Sequence, residues 1–257
     1  MSETTKAVYT RLIAVKTMGK ILERGQTLDQ ALFQSKDYSS LSERDKAFTY
    51  LILLTTLRRL GEIDAVISSF MKKKLKASKV QALQILRITT AQILFLNTPP
   101  YAAVSSAVDL AGSDHSISAL KGLINAVLRR VVLQGDEMLK KFDRDRLNTP
   151  SWLWEKLTLS YGETVTRQIC QASKNEVPLD LTLKNPLDTQ LWAKRLGAVI
   201  LPNNSLRLIR SGHIEKLCGF NDGEWWVQDA AASLPVKMLE SLAGEEVIDL
   251  CAAPGGK

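Results

Sequence analysis

Through the first 140 residues the apolar positions recur with a helical period, and no strand-like alternation interrupts them. From Lys6 to Glu23, Ala7, Val8, Leu12, Ile13, Val15, Ile21 and Leu22 predict a helix with one buried stripe. Leu28, Ala31 and Leu32 mark a short second helix. Ser42 is a good N-cap, with Asp45 three residues on to return the bond, and the helix it opens runs to about Leu60, where Gly61 ends it. Its middle, Ala47 to Leu54, is apolar nearly all round, so it should be the central helix of its domain. Further helices are expected over about 62–71, 79–96, 102–111 and 116–133; Asn97-Thr-Pro-Pro100 stops one of them because proline lacks an N–H. The first half therefore reads as an all-helical bundle.

Beyond residue 140 the pattern changes. Phe142–Pro150, rich in alternating charge, reads as a linker. Ser151 is a plausible cap for a helix with Trp152 and Leu153 on its apolar side, and the tryptophans at 152 and 154 are expected in the core. After Asn175-Glu-Val-Pro178 the period becomes two: Leu179, Leu181 and Leu183 alternate with Asp180, Thr182 and Lys184. Short signals over 191–196, 198–201, 205–209 and 224–227 complete a small α+β unit, and Asp229 can cap a helix that follows. The last stretch, Val247-Ile-Asp-Leu-Cys251-Ala-Ala-Pro-Gly-Gly-Lys257, reads as a buried strand turning sharply towards a helix.

Charge alters this picture by its distribution. Residues 1–145 carry 22 Lys+Arg against 14 Asp+Glu, whereas residues 146–257 carry 12 against 13, so the excess behind the net +7 lies in the helical half. A domain that meets a phosphate backbone has such a bias, and so does a merely soluble basic domain. Within it, Lys72, Lys73, Lys74, Lys76 and Lys79 form the densest run, a solvated face or an RNA contact. Arg44, Lys46, Arg58 and Arg59 lie on or near the helix that follows Ser42, and Arg129 and Arg130 towards the end of a later one. All of these except Lys76 and Lys79 are taken as candidate RNA contacts. Cys170, Cys218 and Cys251 are too few and too far apart for a disulfide framework, and with His115 and His213 they assemble no metal-ligand spacing, so no metal is expected. The first residues lack a secretion signal and no apolar run reaches membrane-spanning length, so the expectation is a cytoplasmic protein that meets no membrane.

Gly255 and Gly256 would let backbone N–H groups face a ligand at the end of a strand. A Walker A loop is excluded because Cys251 stands where its first glycine belongs, and G-x-G-x-x-G is absent. The string Asp249-x-Cys251-Ala-Ala-Pro-Gly-Gly-Lys257 resembles the first cofactor motif of the RNA cytosine-5 methyltransferases. That resemblance implies a loop, Cys251, Ala252, Ala253, Pro254, Gly255, Gly256 and Lys257, that cradles S-adenosyl-L-methionine.

A second resemblance covers the helical half. Leu41-Ser-Glu-Arg-Asp45, Thr56-Leu-Arg58, Tyr101 to Ala111 and Gly122 to Arg129 together resemble the NusB-type RNA-binding domain, which also begins the Sun/Fmu type of ribosomal RNA methyltransferase. Gly219-Phe-Asn-Asp-Gly223 and Gln228-Asp229 resemble what precedes the cofactor strand in that type, where the small α+β unit is similar to the RNA-recognition fold; the aromatic RNP signatures are missing here.

The expected chain is thus multidomain. It has an all-α NusB-like bundle over 1–145, a small α+β connector over 146–227, and over 228–257 the first strand and glycine loop of a Rossmann-like α/β methyltransferase domain. The resemblance implies methyl transfer from S-adenosyl-L-methionine to cytosine carbon 5 in 16S ribosomal RNA, by a cysteine thiolate that adds to carbon 6. In the family that cysteine, its partner cysteine and the acid that holds the ribose lie downstream of the loop. No catalytic residue is therefore assigned, and these 257 residues are expected to be inactive alone, with their last segment poorly packed. The alternative reading is a NusB-like RNA-binding or antitermination module with a vestigial tail.

Overall fold

The computed structural model describes residues 3–73, 75–175, 177–209, 214–239, 244–250, 252, 253 and 255. They fall into two compact units, Met1–Asn175 and Glu176–Lys257.

The first unit is built from α1 (Glu3–Arg24), α2 (Leu28–Phe33), α3 (Lys36–Ser39), α4 (Glu43–Arg58), α5 (Leu60–Ser69), α6 (Val80–Phe95), α7 (Pro100–Ser113), α8 (Lys121–Lys140), α9 (Arg144–Leu147) and α10 (Ser151–Lys174). Its core is one apolar cluster that includes Met18, Ile52, Ile63, Leu86, Ile88, Ile124 and Leu128. The central helix is α6, which packs on α1, α4, α5, α7 and α8. The sequence pointed to α4 instead, but Tyr50 and Leu51 of that helix face outwards and only Thr49, Ile52, Leu53 and Thr56 are buried. Helix α6 takes the centre with a surface that is buried on almost every side, including the polar Gln84, Thr89, Thr90 and Gln92.

Helix α4 begins where expected, but its cap bonds differently and its far end differs from the expectation. Ser42 caps α4 by accepting from the Asp45 N–H at 3.2 Å, while its hydroxyl donates to the Asp45 carboxylate at 2.7 Å, so the bond returns to the hydroxyl and not to the cap backbone. At the other end α4 stops at Arg58, and Gly61 lies inside α5. The reason for glycine there is contact: a Cβ on Gly61 would stand 1.8 Å from the Leu147 carbonyl oxygen.

The stretch expected as a linker is therefore part of the helical unit. Helix α9 packs on α5 and on α10, and the unit runs on to Asn175. Asp143 caps α9 and accepts both Nη atoms of Arg167 at 3.0 Å, and Asp145 accepts from Gln171 and Lys174. Ser151 makes no cap; Pro150 holds that position. Trp152 is 67% exposed, against the expectation of a core residue. Trp154 carries the guanidinium groups of Arg146 and Arg167 at 5.5 and 5.2 Å from its ring centre.

The second unit is a four-stranded antiparallel sheet, β1 (Leu179–Leu183), β2 (Val199–Ile200), β3 (Leu206–Leu208) and β4 (Trp225–Val227), in the order β2-β3-β1-β4. Helix α11 (Thr189–Leu196) covers one face, where Leu181, Leu183, Leu206, Leu208, Trp192 and Trp225 form the core. Gly219 has φ 87° and lies against the Trp192 ring, so close that a Cβ would stand 2.6 Å from it. Helix α12 (Ala230–Lys237) begins at Asp229, whose carboxylate accepts from the Ala231 and Ala232 N–H groups. Residues 245–249 form no strand, and Val247, Ile248 and Leu250 are exposed. A strand needs a neighbour to pair its backbone, and the described residues supply none for this segment.

Candidate nucleic-acid interface

The cationic residues singled out in the sequence do not form one patch. Arg44 and Lys46 sit in the first turn of α4, and Arg58 ends it; 14 residues at 1.5 Å rise separate Arg44 from Arg58 by roughly 21 Å. Arg44 is exposed, Arg58 is half-buried, and Lys46 pairs with Glu43 at 2.8 Å. Lys72 and Lys73 are exposed in the connection after α5, while Lys74 lies outside the described residues. Arg129 and Arg130 are exposed on α8, and Arg129 lines an apolar groove with Tyr101, Val104, Val108, Val132 and Leu133.

Arg59 has a different setting. Its guanidinium donates to Glu62 Oε1 at 2.9 Å and lies 4.4 Å from the centre of the Phe95 ring. Glu62 is fully buried, and it also accepts from Arg144 Nε and, at 3.1 Å, from Asn148 Nδ2. The Glu62 N–H donates to Asn148 Oδ1 at 3.0 Å, so one acid ties α5 to α9 through side chain and backbone. Two guanidinium groups and an amide offset the desolvation of a carboxylate in this position. Arg59 is committed to that cluster, and its charge is spent inside the fold.

Four further cationic side chains, which the sequence does not single out, are well placed. Arg11 of α1 is 94% buried by neighbours, with 6% of its surface exposed, and lines a cleft together with Ser42, Arg44, Asp45 and Phe48. Its Nε donates to Gln92 Oε1 at 2.8 Å and its Nη1 to the Ala7 carbonyl at 2.9 Å, while Phe48 lies under the guanidinium at 5.5 Å. Burial pulls the Arg11 pKa down from the usual arginine value, yet a guanidinium keeps its proton. Lys16, Lys20 and Arg24 then follow along one face of α1 and line a second cleft against α6. Their spacing of four residues is a visible signal, since i and i+4 share a helix face. In the sequence it was masked by the more compact lysine run at 72–76.

The glycine loop is described only in part. Ala252, Ala253 and Gly255 are exposed, and Gly255 has φ 98° with open space where a Cβ would be; Cys251, Pro254, Gly256 and Lys257 lie outside the described residues. The Gly255 N–H donates to the Ala252 carbonyl at 2.5 Å, which closes a tight turn. That backbone suits a loop a ligand approaches closely, because no side chain intervenes. Of the other cysteines, Cys170 is buried and accepts a hydrogen bond from Thr149 Oγ1 at 3.1 Å, and Cys218 is exposed in the second unit. Among the described residues no group of three or more His, Cys, Asp or Glu could hold a metal ion, and no helix is long and apolar enough to cross a membrane.

Comparison with known proteins bears on both units. A model of the NusB family matches residues 9–133. Ribosomal RNA small subunit methyltransferase B of Escherichia coli (strain K12) and of Shigella boydii serotype 4 (strain Sb227) are each 31% identical over 259 residues, covering 96% of this chain and 59% of the relative. The chain thus spans somewhat more than half the length of these curated relatives. Among solved structures, the crystal structure of PH0851 shares the fold with a TM-score of 0.53 at 14% identity, over 91% of this chain and 55% of that one.

Proposed function

Because the chain belongs to the family of ribosomal RNA small subunit methyltransferase B, with a NusB-family domain at residues 9–133, we propose that it is the RNA-binding portion of a 16S ribosomal RNA cytosine-5 methyltransferase. The observation that carries this reading is the 31% identity maintained over 96% of the chain. The basic helical unit supports it: Arg11 and Arg44 share one cleft, Lys16, Lys20 and Arg24 another, and Arg129 a third. Two separate cationic clefts, and an arginine in a third, apolar groove, suit a folded RNA whose phosphates arrive from several directions better than a single small anion. The same reading puts the chain in the cytoplasm, with its substrate.

The cofactor of this reading is S-adenosyl-L-methionine, which supplies an activated methyl group when bound. Residues 251–257 would hold it, and the open backbone at Gly255 fits that use. Cys170 does not serve as the nucleophile towards cytosine carbon 6, since it is buried and engaged with Thr149.

Titration of the full chain with fragments of 16S ribosomal RNA over a range of KCl concentrations tests this. Binding whose logarithm falls linearly with that of the salt concentration is expected. Affinity indifferent to salt would overturn the RNA reading.

A further inference from the structure

The cleft between α1 and α6 has an unusual floor. It encloses about 280 Å³ and is lined by Lys16, Lys20 and Arg24 from α1, with Gln81 and Gln84 from α6. Gln84 is 1% exposed, and its Nε2 has no hydrogen-bond partner among the described residues. The amide is not free to exchange its two ends, because Arg87 Nη1 donates to Gln84 Oε1 at 3.3 Å and Arg87 is itself held by Asp64 through bonds of 2.7 and 2.6 Å. The donor end is thus left without a partner. A buried N–H without an acceptor is costly, and in native structures such a group usually marks a site completed by something else.

What completes it follows from the walls. Lys16, Lys20 and Arg24 bring three positive charges and Glu23 one negative charge, and Lys16 makes a loose 3.6 Å contact to Asp37. The cleft therefore favours an anion with several acceptor oxygens. We infer that the α1/α6 cleft binds a backbone phosphate of a single-stranded RNA segment, with Lys20 and Arg24 neutralising it and Gln84 Nε2 donating to one of its oxygens. This rests on the RNA-binding reading above and adds the place and the groups. Gln84 is the residue that sets this cleft apart from an ordinary basic surface, since its contribution carries no charge.

The test uses the full chain and a fluorescein-labelled single-stranded oligonucleotide of 16S ribosomal RNA sequence. Lys20→Gln with Arg24→Gln should weaken binding about tenfold and lower the slope of log K against log salt by about 0.7, the value for one phosphate contact on a single strand. Gln84→Met should weaken binding by about three- to tenfold with the slope unchanged, since it removes a hydrogen bond and no charge. Its thermal midpoint should change little, because the unpaired donor and the acceptor of the 3.3 Å bond from Arg87 leave together. If wild type binds the RNA and all these variants bind equally well, the inference falls and the RNA-binding reading stands. If wild type binds no RNA at any salt concentration, the RNA-binding reading itself falls, and the inference with it. Calorimetry with inorganic phosphate closes the remaining case: a signal lost in the Lys20/Arg24 variant while RNA affinity is retained identifies a small-anion site and overturns the backbone contact.

Discussion

Gly61 of α5 lies directly against the Leu147 carbonyl oxygen of α9, at a separation that leaves no room for a single added carbon. Backbone meets backbone here, so neither side can yield by turning a side chain. Gly61→Ala should push α9 off α5 and destabilise the helical unit by roughly 2–4 kcal/mol. Gly122→Ala is the control, since nothing lies within 4 Å of its Cβ position in α8. It should be neutral or stabilising by up to about 1 kcal/mol. Thermal denaturation of both variants decides the matter; equal midpoints would refute the contact.

The neighbouring Glu62 makes the same junction from the polar side. Removing its carboxylate in Glu62→Ala strands Arg59, Arg144 and Asn148 at once, and the expected loss is about 3 kcal/mol, at the low end for a broken buried pair because both arginines keep some water. Urea denaturation should show it, with the slope of the transition unchanged.

Arg59 and Arg129 should separate stability from RNA affinity. Arg59→Gln is expected to lower the thermal midpoint while leaving the salt dependence of RNA binding intact, because its charge already faces Glu62 and the Phe95 ring. Arg129→Gln, exposed on α8, should do the reverse and reduce the salt slope by about 0.7. The opposite pattern would show that Arg59 reaches the RNA.

In the second unit Arg207 donates to both Asp180 oxygens at 2.7 Å, and the Ala230 N–H donates to Oδ2 at 3.1 Å. The Arg207 guanidinium, and after it the Ala230 N–H, hold the Asp180 carboxyl below its ordinary value of 3.8 against the opposing effect of burial. A depressed folded pKa gives stability that is complete above the unfolded value and is lost as pH falls through the folded one. Lowering the pH from about 5 towards 2 should therefore loosen this unit, and Asp180→Asn should be less stable at pH 7 but flatter over that range. Tryptophan fluorescence follows it through Trp192 and Trp225; parallel acid curves for wild type and variant would contradict the linkage.

Much of the architecture was readable from local chemistry. The spacing of apolar residues placed α1, α2, α6 and α7 within a few residues and found α8 with its ends set too early, the Leu179–Leu183 alternation placed β1, and Ser42 and Asp229 act as the caps their side chains suggest. Gly255 has the positive φ that its place in a glycine pair implied. These features depend on neighbours in sequence, so sequence determines them.

What only the tertiary structure decided are the relations between distant residues. Which helix occupies the centre depends on how many partners surround it, and α6, with buried glutamines and threonines, has more than α4. Gly61 and Leu147 are far apart in the chain, so nothing local tells a helix-ending glycine from one that admits another backbone. Charge behaves likewise: Arg59 and Arg44 look alike as letters, yet burial of Glu62 claims the first and leaves the second exposed. The unpaired Gln84 donor is visible only once every other candidate partner has been placed around it, because a missing hydrogen bond is a property of the packed surroundings and not of the residue.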